Sequence, residues 1–182
     1  YEGARDCAGR ASDVLSFMYA TPDVLREAIA SSDRPVFLCE YVHSMGVGPG
    51  GVKEYMDLIL AKDRMLGGCV WEWAEHSALV DGKLTYGGDN GEYVHDGDFC
   101  VDGMMSPYRE PTPSAKEIAA AYRPVRAELA PQGIRLRSML HFRALELKVR
   151  LTFLSDGKTS GREMYSVRLQ PEAEEVLPQP FA

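Results

Sequence analysis

One apolar segment that runs into a polar turn constrains the fold of this chain most strongly. Residues 34–46 read Arg-Pro-Val-Phe-Leu-Cys-Glu-Tyr-Val-His-Ser-Met-Gly, and the apolar run near their start predicts a buried strand. Glu40 and His43 fall where this strand reaches the turn. Burying a carboxylate is costly unless it is paired or hydrogen-bonded, so Glu40 is a candidate for a chemical role. The alternative is an ordinary Glu in a solvated loop.

A second apolar segment and the residues between the two complete a βαβ pattern. Residues 66–74, Leu-Gly-Gly-Cys-Val-Trp-Glu-Trp-Ala, predict another short strand. Between the strands, apolar residues recur at helical spacing: Val52, Tyr55, Met56, Ile59 and Leu60. Two strands joined by a helix predict a parallel pair.

Two tryptophans end the second segment. Strand geometry would put Trp71 and Trp73 on the same face, where their indole rings could form a platform for a sugar. The alternative is that both rings fill the core.

Three motifs in register resemble one known family. Residues 38–46 (LCEYVHSMG), 67–73 (GGCVWEW) and 86–92 (YGGDNGE) look like the C-terminal part of the catalytic barrel of a glycoside hydrolase family two β-galactosidase. The resemblance runs from residue 1 to about 128 and continues more weakly into the tail. Family-two glucuronidases and mannosidases also place a Glu at this strand end, but residues 41–46 fit the galactosidase branch best.

The resemblance and the chain length together define the expected fold class, which is α/β followed by β. A whole (β/α)8 TIM barrel needs roughly 250 residues, and this chain has 182. We expect residues 1–122 to be a partial TIM-barrel catalytic domain with about three of the eight strands. Alternating apolar residues after 123 and an Asp156-Gly157 turn predict that residues 123–182 begin an antiparallel β-sandwich. The chain is therefore expected to be a piece of a longer enzyme.

The resemblance also implies roles for individual residues. Glu40 matches the nucleophile of the family, and Tyr19 matches a Tyr that hydrogen-bonds the nucleophile and helps the covalent intermediate break down. The acid/base Glu of the family comes from an earlier barrel strand and is not expected in this chain. A core aromatic is the alternative for Tyr19.

Substrate and ion sites follow from the same resemblance. His43 matches a His that contacts galactosyl hydroxyls, although a satisfied loop His is the alternative, and Trp71 matches the floor of the galactose site. Phe99 and Asp102 match a sodium site, where the best-known members have Asn in place of Asp102. Magnesium ligands of the family lie mainly on strands that this chain lacks, so Na and Mg are expected only in the parent enzyme.

Three polar residues in one loop suggest a function from their residue types alone, without the family resemblance. His95, Asp96 and Asp98 could suggest a metal site. A solvated acidic loop is the favoured interpretation.

Charge and cysteine content limit the partners. A formal net charge of -7 and a pI near 5.1 argue against a nucleic-acid surface and a polybasic membrane anchor. The 4 Cys form no Cys-x-x-Cys pair, which favours a reduced, cytoplasmic setting. The expected partner is a β-galactoside such as lactose, and the parent is expected to be a homo-oligomer.

Two classes of function remain at this stage. The first is part of a retaining β-galactosidase that hydrolyses terminal non-reducing β-D-galactosyl residues through a covalent glycosyl-enzyme on Glu40, inactive as an isolated chain. The second is a noncatalytic carbohydrate-binding or scaffold fragment that uses Trp71 and Trp73.

Overall fold

A computed structural model describes residues 12–178 of the chain. The chain divides into two compact units, residues 1–122 and residues 123–182.

The first unit is built on a parallel sheet with helical crossovers. Its strands and helices are β1 (Leu15–Met18), α1 (Pro22–Ser31), β2 (Val36–Tyr41), α2 (Val52–Ala61) and β3 (Met65–Val70). The three strands are parallel and lie in the order β1-β2-β3. This arrangement confirms the predicted βαβ unit, and the sheet is open rather than closed into a barrel within the described residues.

Local sequence explains where both helices begin. The Thr21 side chain accepts a hydrogen bond from the Val24 backbone at 3.4 Å, and Pro22 occupies the first turn of α1, where its missing N–H costs nothing. Before α2, Gly51 has a φ of 67°, which a side chain would resist.

One apolar cluster fixes the helices against the sheet. Leu25 and Leu38 are completely buried at 0% exposure, and so is Val52 at the start of α2. The cluster contains the buried residues Leu15, Leu25, Ile29, Val36, Leu38, Tyr41, Val42, Val52, Leu58, Met65, Met104 and Ile118. Because residues from β1, α1, β2, α2 and β3 share it, this core holds the strand ends at a common edge.

A long connection follows the sheet. It contains a small hairpin of β4 (Ala78–Val80) and β5 (Lys83–Thr85), and the unit then ends with α3 (Pro113–Ala121). Residues 86–112 run as turns and loops between the hairpin and α3. His95, Asp96 and Asp98 are exposed in this connection.

The second unit is antiparallel. Its strands are β6 (Val125–Ala130), β7 (Gly133–Ser138), β8 (Leu145–Ser155), β9 (Lys158–Leu169) and β10 (Glu174–Pro178). One sheet has the order β10-β7-β6, and β8 pairs with β9 as a long hairpin.

Alternation and one turn explain the long hairpin. Exposure alternates along β8, as predicted for a strand with one buried face. Asp156 and Gly157 form the turn with φ values of 49° and 76°, a geometry that favours the Asp-Gly pair. Leu136, Val167, Leu169 and Leu177 are buried together, so β7, β9 and β10 share one core. Assignment of this unit to a β-sandwich stays a prediction.

Among residues 12–178, the helices are too short or too polar to cross a lipid bilayer.

Candidate active site

The carboxyl ends of the three parallel strands gather polar and aromatic side chains. Tyr19 follows β1, Glu40 is the next-to-last residue of β2, and Trp71 follows β3 directly. Backbone hydrogen bonds hold these ends together: Tyr19 N–H donates to the Glu40 carbonyl at 3.0 Å, and Trp71 N–H donates to the Tyr41 carbonyl at 3.0 Å. Parallel pairing therefore brings residues far apart in the chain to one edge of the sheet.

Tyr19 and Glu40 also interact through their side chains. The Tyr19 hydroxyl lies beside the Glu40 carboxylate. Burial, followed by the nearby Glu40 carboxylate, raises the pKa of Tyr19 well above its usual range. The phenol therefore stays protonated and can act as a donor to Glu40.

An unusual backbone conformation precedes His43. Val42 has a φ of 49°, in the left-handed region that β-branched residues avoid, and its side chain is buried at 6% exposure. Strain of this kind costs about 1 to 3 kcal/mol and persists only where the surroundings enforce it. The turn brings the His43 ring within 5.7 Å of the Tyr19 ring, in an edge-to-face arrangement.

Asp102 connects the residues of this edge. It is almost fully buried, with 1% exposure. The Trp71 indole Nε1–H donates to Asp102 Oδ2 at 2.9 Å, and His43 Nε2 lies 3.4 Å from the same oxygen. One carboxylate oxygen therefore fixes both the indole and the imidazole.

Phe99 completes the group from the long connection. Its ring centroid lies 6.2 Å from that of His43, and the side chain is half exposed to solvent. The structure thus brings together the six residues to which the family resemblance assigns roles: Tyr19, Glu40, His43, Trp71, Phe99 and Asp102. Their individual roles stay predictions.

Trp71 and Trp73 lie beyond the end of the strand that was expected to align them. β3 ends at Val70, so neither Trp71 nor Trp73 lies on a strand and strand alternation does not set their orientation. Trp71 is held by Asp102, whereas Trp73 is 66% exposed.

Asp102 has a carboxylate oxygen that could serve as a ligand for a sodium ion. Its Oδ1 is buried and has no hydrogen-bond partner among the described residues. An unused carboxylate oxygen fits a cation ligand, so Asp102 can hold an ion here despite replacing the Asn of the best-known members. Participation of the Phe99 carbonyl stays a prediction.

Two further carboxyl groups, those of Glu72 and Glu75, lie beside Asp102 and were not predicted from the sequence as site residues. The pKa of Glu72 is raised, chiefly by burial and also by the nearby Asp102 carboxylate, while the neighbouring His76 opposes that rise. Burial and the charge of Asp102 also raise the pKa of Glu75. A strand over residues 66–74 would place Glu72 on the face opposite Trp71 and Trp73, but the strand ends at Val70, and the turn after it brings Glu72 to Asp102.

Comparison with known proteins identifies the family. The model described as "Glycosyl hydrolases family 2, TIM barrel domain" matches residues 1–127. The chain belongs to glycosyl hydrolase family 2. This membership confirms the resemblance seen in the three motifs.

Several family 2 relatives are named β-galactosidase. The chain is 36% identical over 170 residues to one from Actinobacillus pleuropneumoniae, a match that covers 91% of this chain and 17% of the relative. For the Staphylococcus xylosus enzyme the identity is 39% over 162 residues, with coverage of 81% and 16%. For the Kluyveromyces lactis enzyme it is 33% over 195 residues, with coverage of 98% and 18%. The chain thus spans less than a fifth of the length of these relatives.

Proposed function

We propose that this chain is the nucleophile-bearing part of a retaining β-galactosidase that hydrolyses terminal non-reducing β-D-galactosyl residues. One observation carries the proposal: Glu40 lies at the carboxyl end of a parallel strand, and the Tyr19 hydroxyl lies beside its carboxylate. Barrel enzymes place their reacting groups at this edge. Family membership and the names of the relatives support the choice of substrate.

In the proposed reaction, Glu40 attacks the anomeric carbon of the galactosyl unit. A bond forms between a Glu40 oxygen and that carbon while the bond to the leaving oxygen breaks, and an acid group protonates the leaving oxygen. Water then cleaves the ester, and the same acid group acts as a base. We assign that acid/base role to a Glu from another segment of the parent enzyme.

The neighbours of Glu40 have roles that suit this reaction. A nucleophile must be ionised, and a hydroxyl donor such as Tyr19 stabilises a carboxylate. His43, held beside Asp102, can contact sugar hydroxyls, and the indole face of Trp71 can receive the apolar face of galactose. Asp102 positions both.

A covalent trap tests the assignment. The parent enzyme is incubated with a 2-deoxy-2-fluoro-galactosyl reagent, which slows breakdown of the ester, and the labelled peptide is mapped by mass spectrometry. We expect the label on Glu40. A label on Glu72, Glu75 or any other residue would contradict the proposal.

A matched pair of variants gives a second test. Glu40→Gln should reduce turnover by several orders of magnitude because the amide cannot form the ester. Glu54→Gln makes the same chemical change at an exposed position of α2 and should keep normal activity. Normal turnover in Glu40→Gln would remove Glu40 from the mechanism.

Sugar binding without turnover is a second candidate for the isolated chain. The exposure of Trp73 favours it, because an uncovered indole suits stacking on a sugar. Galactose titration by isothermal calorimetry tests it: saturable heat that Trp73→Ala abolishes would support the binding role.

A further inference from the structure

Three side chains next to the candidate active site form a compact group of metal-ligating atoms. Glu72, His76 and Asp102 each offer one ligand atom, and these atoms lie within 4.8 Å of one another. His76 Nδ1 is 2.5 Å from Glu72 Oε1. Among residues 12–178, no other group of three or more His, Cys, Asp or Glu residues has ligand atoms this close together.

Two oxygens of this group lack the hydrogen bonds that buried oxygens normally accept. Asp102 Oδ1 is buried and has no hydrogen-bond partner among the described residues, and Glu72 Oε1 is buried with only the His76 imidazole in contact with it. The Asp102 side chain is only 1% exposed, and its other oxygen already accepts the Trp71 indole N–H. An orphaned carboxylate oxygen at such depth is costly unless something binds it.

The charges of the group point to a cation. Glu72 and Asp102 each place a carboxylate oxygen in this group, and two carboxylates so close together repel each other when both are ionised. His76 is 58% exposed, so it compensates them only from the solvent side. A doubly charged ion between the three groups would offset the repulsion and occupy the unused oxygens.

We propose that Glu72, His76 and Asp102 form a binding site for a divalent transition-metal ion such as Mn²⁺ or Zn²⁺. Two carboxylates and one imidazole suit these ions better than Mg²⁺, which prefers an all-oxygen shell. The exposure of His76 leaves the remaining coordination positions to water. This site would share the Asp102 Oδ1 oxygen with the sodium site expected from Phe99 and Asp102, so the two ions would compete for it.

A bound ion would also act on the neighbouring aromatic residues. Asp102 would contact the metal through one oxygen and keep Trp71 and His43 on the other. Metal binding therefore stiffens the contacts that position the indole and the imidazole. The inference rests on these contacts alone and stands whether or not Glu40 is the nucleophile.

Metal titration of the 182-residue chain tests the proposal. The chelator-stripped protein is titrated with Mn²⁺, read from the loss of the free-ion EPR signal, and with Zn²⁺ in competition with a chromophoric chelator. The buffer contains K⁺ rather than Na⁺, because sodium bound to Asp102 would compete. We expect one site per chain, and weakening of at least tenfold in both His76→Gln and Glu72→Gln.

His141→Gln is the matched control. His141 Nδ1 lies 2.9 Å from Glu172 Oε1, which reproduces the His–Glu pair without the third ligand. This variant should bind metal like the unaltered chain. Circular dichroism checks that the variants are folded, which we expect because His76 is exposed. Absence of stoichiometric binding, unchanged affinity in His76→Gln, or loss of the site in His141→Gln would each overturn the proposal.

Discussion

At the residue scale, the candidate site depends on hydrogen bonds between side chains that come from different strand ends. The Tyr19 hydroxyl lies beside the Glu40 carboxylate, and Asp102 holds Trp71 and His43. Each contact joins residues that the parallel sheet brings to one edge. Single substitutions that remove one donor therefore test single roles.

Loss of the Tyr19 hydroxyl should slow the chemical step in the parent enzyme. Tyr19→Phe keeps the ring beside His43 but removes the donor to Glu40, so we expect kcat to fall by about 10²-fold. Steady-state and burst kinetics with an aryl galactoside measure the effect. Tyr108→Phe, at a position that is 61% exposed, is the control. Unchanged kcat and burst in Tyr19→Phe would exclude a role for its hydroxyl.

Tyr41 should make the fold sensitive to alkaline pH. Tyr41 is fully buried, and its hydroxyl contacts the hydroxyl of Tyr122. Burial, followed by this contact, raises the pKa of Tyr41 well above its usual range. Because the pKa is higher in the folded state, the phenol of the unfolded chain ionises first as the pH rises. The contribution of Tyr41 to the free energy of unfolding is therefore fully present below about pH 10 and declines above it.

Chemical denaturation between pH 8 and 11 checks this expectation. The free energy of unfolding should fall by about 1.4 kcal/mol per pH unit above pH 10 for this one group, and the fall should be shallower in Tyr41→Phe. Tyr93→Phe, at a fully solvated position, should keep the steep profile. Identical slopes in all three proteins would show that Tyr41 is not responsible.

At the element scale, the close pairing of β2 and β3 requires a glycine. A Cβ at Gly68 would lie 2.7 Å from the Leu38 Cβ and 3.1 Å from the Leu38 carbonyl oxygen. The sheet can accept Ala only if the strands separate. The Trp71 end of β3 would move with them, which links this pairing to the site.

Gly68→Ala should therefore destabilise the first unit by about 1 to 3 kcal/mol. Ala also lowers the conformational entropy of the unfolded chain, which favours folding, but this gain is smaller than the steric cost. Urea unfolding monitored by tryptophan fluorescence measures it, since Trp71 and Trp73 are the 2 Trp of the chain. Leu66→Ala, on the same strand at 58% exposure, should cost much less. A neutral Gly68→Ala would mean that β2 and β3 are less tightly paired than described.

At the scale of the whole molecule, the open sheet predicts association. β1 and β3 are its edge strands, so each leaves backbone groups unpaired on one side among the described residues. Phe17 and Val24 line an open hollow between β1 and α1. Exposed strand edges and apolar surface favour pairing with other chains. Analytical ultracentrifugation of the isolated chain should show self-association, and a stable monomer at micromolar concentration would contradict this.

The isolated chain should also lack useful β-galactosidase turnover. General acid catalysis is typically worth 10²- to 10⁴-fold, and the proposed acid group lies on another segment of the parent. Any residual activity should appear first with an aryl galactoside, because its leaving group needs little protonation. Robust lactose hydrolysis by a preparation of confirmed mass would show that this chain carries its own acid.

The sequence by itself determined the local elements and the family. Apolar periodicity predicted the βαβ unit, the Asp156-Gly157 pair predicted a hairpin, and three motifs indicated family 2 before any comparison. These features depend on neighbours in the chain, since periodicity, turn chemistry and motif spacing are all local properties.

Only the tertiary structure decided the contacts of Asp102. Trp71 and Asp102 are separated by 31 positions, and a turn after Val70, which the strand pattern did not predict, brings Glu72 and His76 to the same carboxylate. Such contacts are set by how the sheet edge and the long connection pack together. Because packing overrides the alternation expected of a strand, the group of Glu72, His76 and Asp102 could be found only once the chain was folded.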